Sequence, residues 1–289
     1  MTHPMLDEGT FVPHDDGLAS GDPLGWPGYG EALGRARERS DSDESVVGGR
    51  ATIAGAEVEV ALFDFSFLGG SMGGVAGERI ARAMERAGAT GRPFVLATAT
   101  GGARMQEGMV SLAQMPKVVA ARKALTRAAV PYIAVLGHPT TGGVLASIGS
   151  LADYTIAEQG ATIGFAGLRL VERFTGRSLS GNSHTATSAL RAGLVDTVQP
   201  RDAVKQRVAD VLGILGPDEP EDLGRPFLGG TRRRGHDAMR SARHPERPST
   251  RDLIEGACDA SVALHGDRQG TVAAGYTAFA RLAGRGSCR

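Results

Sequence analysis

Two cysteines in 289 residues, Cys258 and Cys288, are too few for a four-cysteine zinc site and argue against a disulfide framework. Net charge is also missing. The 32 Lys and Arg balance 32 Asp and Glu, so nothing points to nucleic acid or to an anionic membrane surface. No run approaches the length of apolar chain that a membrane helix needs, and the opening MTHPMLDEGTF has no basic-then-apolar signal pattern. The chain therefore reads as cytoplasmic, with no membrane span and no nucleic-acid partner. A phosphate loop, a metal-binding cluster and a Ser-His-Asp set are absent too. Glycine is what the chain has in quantity: 42 residues, clustered as LGGSMGGVAG (68–77), GG (101–102), TTGGV (140–144) and GFAG (164–167). Clusters outside collagen periodicity mean tight turns and close backbone approach.

Residues 1–45 are polar, with scattered Pro and Gly and a charge run. They read as an extended arm with one short helix near 29–38. A core begins near Val46. AEVEVALFDFSF (56–67) alternates like a strand. A helix follows, with Ile80, Met84 and Ala87 at helical spacing and Gly88 as its stop. Residues 92–100 and 130–139 read as buried strands. Between them a long helix carries Met105, Met109, Leu112, Met115 and Val119 on one face, with Pro116 inside. Two short strands around a Gln-Gly turn (153–167), a helix running into a strand (187–200) and an amphipathic helix (201–215) complete the core of 46–215. The alternation predicts an α/β fold with parallel strands and helical crossovers. Residues 216–245 read as a linker and 250–266 as a small helical piece.

VLATATGGARM and AVLGHPTTGGVLAS share one layout: buried strand, two glycines, helix. At such a corner the first helix amides have no internal partner, and the helix dipole adds partial positive charge. Without a Cβ, a substrate can reach the backbone. The combination suits an oxyanion hole for a thioester that becomes an enolate. A glycine pair also serves a tight strand-to-helix turn with no chemistry at all.

FDFSFLGGSMGGVAGERIARAMERA, GGARMQEGMVSLAQM, PYIAVLGHPTTGGVLASIGSLADYTIAEQGATIGFAG and GLVDTV closely resemble the carboxyltransferase beta subunit of acetyl-CoA carboxylase, from about residue 7 to about Leu215. RHPERPSTRDLIEGACDASVALHGDR (243–268) resembles the opening of the alpha subunit, so 246–289 reads as an alpha-like segment. The resemblance implies the crotonase (ClpP-like) fold of repeated ββα units. It implies transfer of a carboxyl group from carboxybiotin, held on a biotin carboxyl carrier protein, to acetyl-CoA, giving malonyl-CoA. It also implies a site shared with an alpha-type partner, hence an oligomer, with no covalently bound cofactor. The family's amino-terminal zinc ribbon has no counterpart here.

Carried over by motif, Gly142 and Gly143 match the oxyanion pair, for an enolate of the thioester or of the biotin ureido group. Gly101 and Gly102 line the neighbouring turn. Arg104 meets CoA phosphates or makes an ion pair. Ser71, Gly73 and Gly74 form one wall of the site, and Gly164, Phe165, Ala166 and Gly167 another. Met72, Met105 and Met109 are expected to pack in the core, and His138 to be structural. The chain departs from the pattern at Thr100, Thr141, Pro116 and Leu168, and the match fades past Arg173. Two other readings stand: a biotin-independent acyl-CoA decarboxylase working through the same enolate, and a non-catalytic remnant that binds partners.

Overall fold

The structure, a computed structural model, describes residues 3–14, 17–40, 42–165, 171–173, 176 and 183–215. The expected linker, the helical piece at 250–266 and the alpha-like segment lie outside them.

The described strands form one sheet. They are β1 (Val12–Pro13), β2 (Val46–Ile53), β3 (Ala56–Phe63), β4 (Phe94–Thr100), β5 (Tyr132–Thr141), β6 (Tyr154–Glu158), β7 (Ile163–Gly164) and β8 (Thr197–Gln199). Their order is β1-β2-β3-β4-β5-β6-β8, with β7 added to the far end of β5. The β1–β2 and β2–β3 pairs are antiparallel, and every pairing from β3 to β8 is parallel, as the strand–helix alternation predicts. The main helices are α1 (Tyr29–Ser40), α2 (Gly74–Thr90), α3 (Met109–Arg127), α4 (Ala186–Arg191) and α5 (Val204–Leu215).

The sheet is apolar on both faces, as a parallel sheet covered by crossover helices must be. On one face Leu96, Ala134 and Leu136 pack with Ile80 and Met84 of α2 and Val118 and Leu125 of α3. On the other, Val60, Val95, Ile133 and Ile156 pack with Val208, Val211 and Leu212 of α5. Burying each such side chain contributes about 1.5–3 kcal/mol before the entropy of ordering it is counted.

Four expectations change. β2 escapes the strand signature because VVGGRATI carries two mid-strand glycines. A Cβ on Gly49 would lie 2.6 Å from the Val12 carbonyl oxygen and from the Phe11 ring. α2 runs through Gly88 and stops at Gly91, which takes the left-handed φ of 72°. The helix expected from Met105 breaks at Gly108, after a short 3₁₀ turn over Met105–Glu107. Its apolar stripe also faces the wrong way for core packing. α3 buries Ser111, Gln114, Val118, Ala121 and Leu125, whereas Met105 and Met109 are 76% and 73% exposed. Met72, by contrast, is fully buried as expected.

The segment read as an extended arm holds its helix, α1, and its described residues pack on the core. β1 pairs with β2, and Met5, Leu6, Tyr29, Leu33, Ala36 and Glu44 are buried.

Candidate active site

Both glycine turns lie at the carboxyl ends of neighbouring parallel strands, where ligands bind in open α/β sheets. The turn after β4 carries Gly101 and Gly102, and the turn after β5 carries Gly142 and Gly143. The two pack main chain against main chain. Gly102 has φ 111°, and a Cβ on it would lie 3.4 Å from the Gly142 Cα and the Thr141 carbonyl oxygen. Gly142 has φ 72°, and its Cβ would lie 3.1 Å from the Gly102 Cα. Glycine is thus required twice, for the left-handed backbone and for the close approach. Gly142→Ala is expected to cost about 1–2 kcal/mol from the left-handed φ alone, read as a lower midpoint in urea.

The amides of these turns have distinct destinations. Gly101 N–H donates to the Gly69 carbonyl at 3.0 Å, and Gly142 N–H donates to the Gly164 carbonyl at 3.2 Å. Gly102 N–H donates to the Thr100 hydroxyl at 3.0 Å. Three of the four amides expected to serve an oxyanion are therefore committed to holding the turns. The fourth, Gly143, opens the helical turn that continues as a π-helical segment over Leu145–Gly149. Among the described residues Gly143 N–H has no acceptor. As a first-turn amide it has none within its own helix either. The Met115 thioether lies beside it: a Cβ on Gly143 would sit 2.4 Å from Met115 Cε. Of the four glycine amides, Gly143 alone is thus left without an acceptor among the described residues, in a frame of glycines at the start of a helical turn.

Arg104 is not a phosphate contact. It is fully buried, and its donors are spent on protein acceptors. Its Nη2 pairs with the Glu44 carboxylate and donates to the Ser71 carbonyl at 2.6 Å. Its Nη1 donates to Glu107 Oε1 at 3.0 Å and to Glu44 Oε2 at 3.1 Å. Its Nε donates to the Ser71 hydroxyl at 3.1 Å. Burial opposes the charge on Arg104, but the hydrogen bond and charge of Glu44 win, and the pKa rises above the ordinary arginine value. Burial also pushes the Glu44 carboxyl upward. Arg104, the Ser20 hydroxyl and the Ser45 amide outweigh it and hold the carboxyl below the usual range. Tyr29, which donates to Glu107 Oε1 at 2.7 Å, has its hydroxyl pushed up by burial and by that bond.

Ser71, Gly73 and Gly74, expected as a pocket wall, belong to this same buried cluster. Gly74 N–H donates to Glu107 Oε2 at 2.7 Å. A Cβ on Gly73 would fall 2.4 Å from Glu107 Oε1. On the other side, Gly164 supplies the carbonyl that holds Gly142, and Phe165 is 69% exposed. Ala166 and Gly167 lie outside the described residues. His138 Nδ1 accepts the Thr162 N–H at 3.1 Å.

Sequence reasoning noted Thr100 only as a departure from the pattern and passed over His184. The Thr100 hydroxyl orients the first turn, a role serine would also fill. His184 lies over Gly164, whose Cβ would fall 2.0 Å from its ring, and its buried Nδ1 has no partner among the described residues. Among the described residues no group of His, Cys, Asp and Glu could hold a metal ion. No described helix is long and apolar enough to cross a membrane.

Residues 26–286 match the carboxyl transferase domain family. The chain is 43% identical to the acetyl-coenzyme A carboxylase carboxyl transferase subunits beta/alpha of Salinispora arenicola, over 97% of this chain and 53% of that protein. It thus spans about half the length of that relative. It is also 43% identical to the carboxyl transferase subunit beta of Rubrobacter xylanophilus, over 73% of this chain and 82% of the relative. Among solved structures, a transcarboxylase 12S core aligns at TM-score 0.60 with 28% identity, over 73% of this chain and 40% of that one. A Pseudomonas malonate decarboxylase hetero-tetramer aligns at TM-score 0.59 with 25% identity, over 87% and 92%. The fold is the crotonase architecture of these neighbours, and the chain belongs to the carboxyl transferase domain family.

Proposed function

We propose that the chain is the beta-type part of an acetyl-CoA carboxylase carboxyltransferase that acts in the cytoplasm. It takes a carboxyl group from carboxybiotin on a biotin carboxyl carrier protein and passes it to acetyl-CoA. The acetyl methyl loses a proton to the ureido nitrogen of biotin as the carboxyl–nitrogen bond breaks. The methylene carbon then forms the new bond to the carboxyl carbon, giving malonyl-CoA. The Gly143 amide donates to the enolate oxygen that develops, on the thioester or on the ureido group. Gly101, Gly102 and Gly142 hold that donor in place. The observation that carries this reading is that, of the four glycine amides where the two turns meet, only that of Gly143 has no acceptor among the described residues. Donors fixed before charge develops need no reorganisation during the reaction.

Two features support an alpha-type partner. The name of the Salinispora relative joins beta and alpha subunits. Beside the glycine site, Met105, Met109, Val110 and Leu112 leave an apolar stripe open to solvent, as interaction surfaces do. Mixing this chain with an alpha-type chain, carboxybiotin and acetyl-CoA is expected to give malonyl-CoA, and this chain with the same substrates but no partner is expected to give none. Met109→Glu is expected to weaken that association by about tenfold or more, measured by calorimetric titration.

A second reading, decarboxylation of malonyl-CoA without biotin, draws on the malonate decarboxylase neighbours, which the chain covers at 90–92% of their length. Release of carbon dioxide from malonyl-CoA by the isolated chain would select it.

A further inference from the structure

Ser20, Tyr29, Glu44 and Ser45 come from the polar amino-terminal segment. All four contact Arg104, two residues past the glycine pair of the first turn. Glu44 is paired with both Arg104 Nη atoms and accepts the Ser20 hydroxyl. Arg104 Nη2 reaches the Ser45 hydroxyl at 3.2 Å, and Ser45 Oγ in turn donates to the Ser71 carbonyl at 2.8 Å. Tyr29 holds Glu107, which accepts the first amide of α2, that of Gly74. The main chain adds a second grip: Met72 N–H donates to the Gly102 carbonyl at 2.9 Å, and Arg104 N–H donates to the Met72 carbonyl at 3.0 Å. The turn at 101–104 is thus held between the 69–74 loop and the amino-terminal segment, with Arg104 at the junction. Arg104, Glu44 and Glu107 are buried, so none can touch a substrate arriving from solvent. Their effect on chemistry can only pass through the position of the turn.

We propose that residues 20–45 act as a clamp on the glycine turn, with Glu44 and Arg104 as positioning residues for the carboxyl transfer. The proposal rests on that reaction for its kinetic consequence but not for its structural one. The turn meets Gly142 at van der Waals distance. A displacement of the 101–104 turn therefore carries over to the turn bearing the Gly143 amide. A misplacement of about 1 Å can cost on the order of a hundredfold in rate.

The test uses the full chain assembled with an alpha-type chain, at a temperature where circular dichroism shows every variant folded. Glu44→Gln and Arg104→Lys are expected to lower kcat at least about tenfold while KM for acetyl-CoA stays within about twofold. Glu44→Asp is expected to restore part of the rate. Leu212→Ala, in the core on the opposite face of the sheet, is expected to lower the melting temperature and leave kcat unchanged. A wild-type kcat in folded Glu44→Gln would overturn the clamp. Hydrogen exchange gives an answer independent of turnover. In Glu44→Gln the amides of Gly101, Gly102 and Arg104 are expected to exchange at least about tenfold faster, with α5 unaffected. Unchanged exchange there overturns the clamp even if the wild type shows no transfer, and wild-type inactivity alone overturns only the proposed reaction.

Discussion

Glu44→Ala is expected to destabilise the fold by about 3–5 kcal/mol, because it leaves the buried Arg104 without its principal counter-charge. Both groups are fully buried, so solvent cannot substitute for the lost partner. Glu107 remains, yet it already accepts from Tyr29 and from Gly74. At about 2–4 °C per kcal/mol for a domain of this size, the melting temperature should fall by about 10 °C. Replacing the whole cluster with apolar side chains of matched volume would be far milder, because no orphan charge would remain.

The same pair predicts acid sensitivity. The Glu44 carboxyl titrates below its ordinary value in the fold, so the folded state binds its proton less readily than the unfolded chain does. Its contribution is fully present above about pH 4.3, the value of an unperturbed glutamate, and is lost as pH falls through the folded pKa. Wild-type stability should therefore decline below that point more steeply than that of Glu44→Ala. Parallel declines in urea titrations would show that Glu44 is not held ionised.

The strand–glycine–helix corners were legible because each is local: a buried run, two glycines and the start of a helix fall within about a dozen residues. The parallel sheet followed from the same alternation. What stayed hidden was non-local. Gly142 and Gly101 read as uncommitted donors because their acceptors, Gly164 and Gly69, lie more than twenty residues away and are backbone carbonyls without a residue-type signature. Arg104 read as a CoA-phosphate contact or an ion-pair residue with no partner identified, for the same reason: its counter-charge on Glu44 comes 60 residues earlier, in a segment whose composition resembles a solvated arm. The stripe on α3 had the period of a core helix, but period does not say which side of a helix meets the sheet. There, glycine at position 77 brings Gln114 close, and the methionines turn outward.

The Gly143 amide is the donor on which the proposed chemistry depends, and a pair of substitutions tests it. Position 143 opens a helical turn, where proline is tolerated because the missing N–H has no partner within the helix. Gly143→Ala and Gly143→Pro both place a Cβ against the flexible end of Met115, and proline adds its ring carbons on the nitrogen side. Only the proline variant loses the N–H. Loss of one oxyanion donor lowers kcat by about 10²–10³-fold, or about 2.7–4 kcal/mol. The decisive measurement is kcat for carboxyl transfer to acetyl-CoA in the two variants, assembled with an alpha-type chain and checked for folding. Gly143→Pro should fall about a hundredfold or more below Gly143→Ala, whereas equal rates in the two folded variants would contradict a main-chain oxyanion donor at this position.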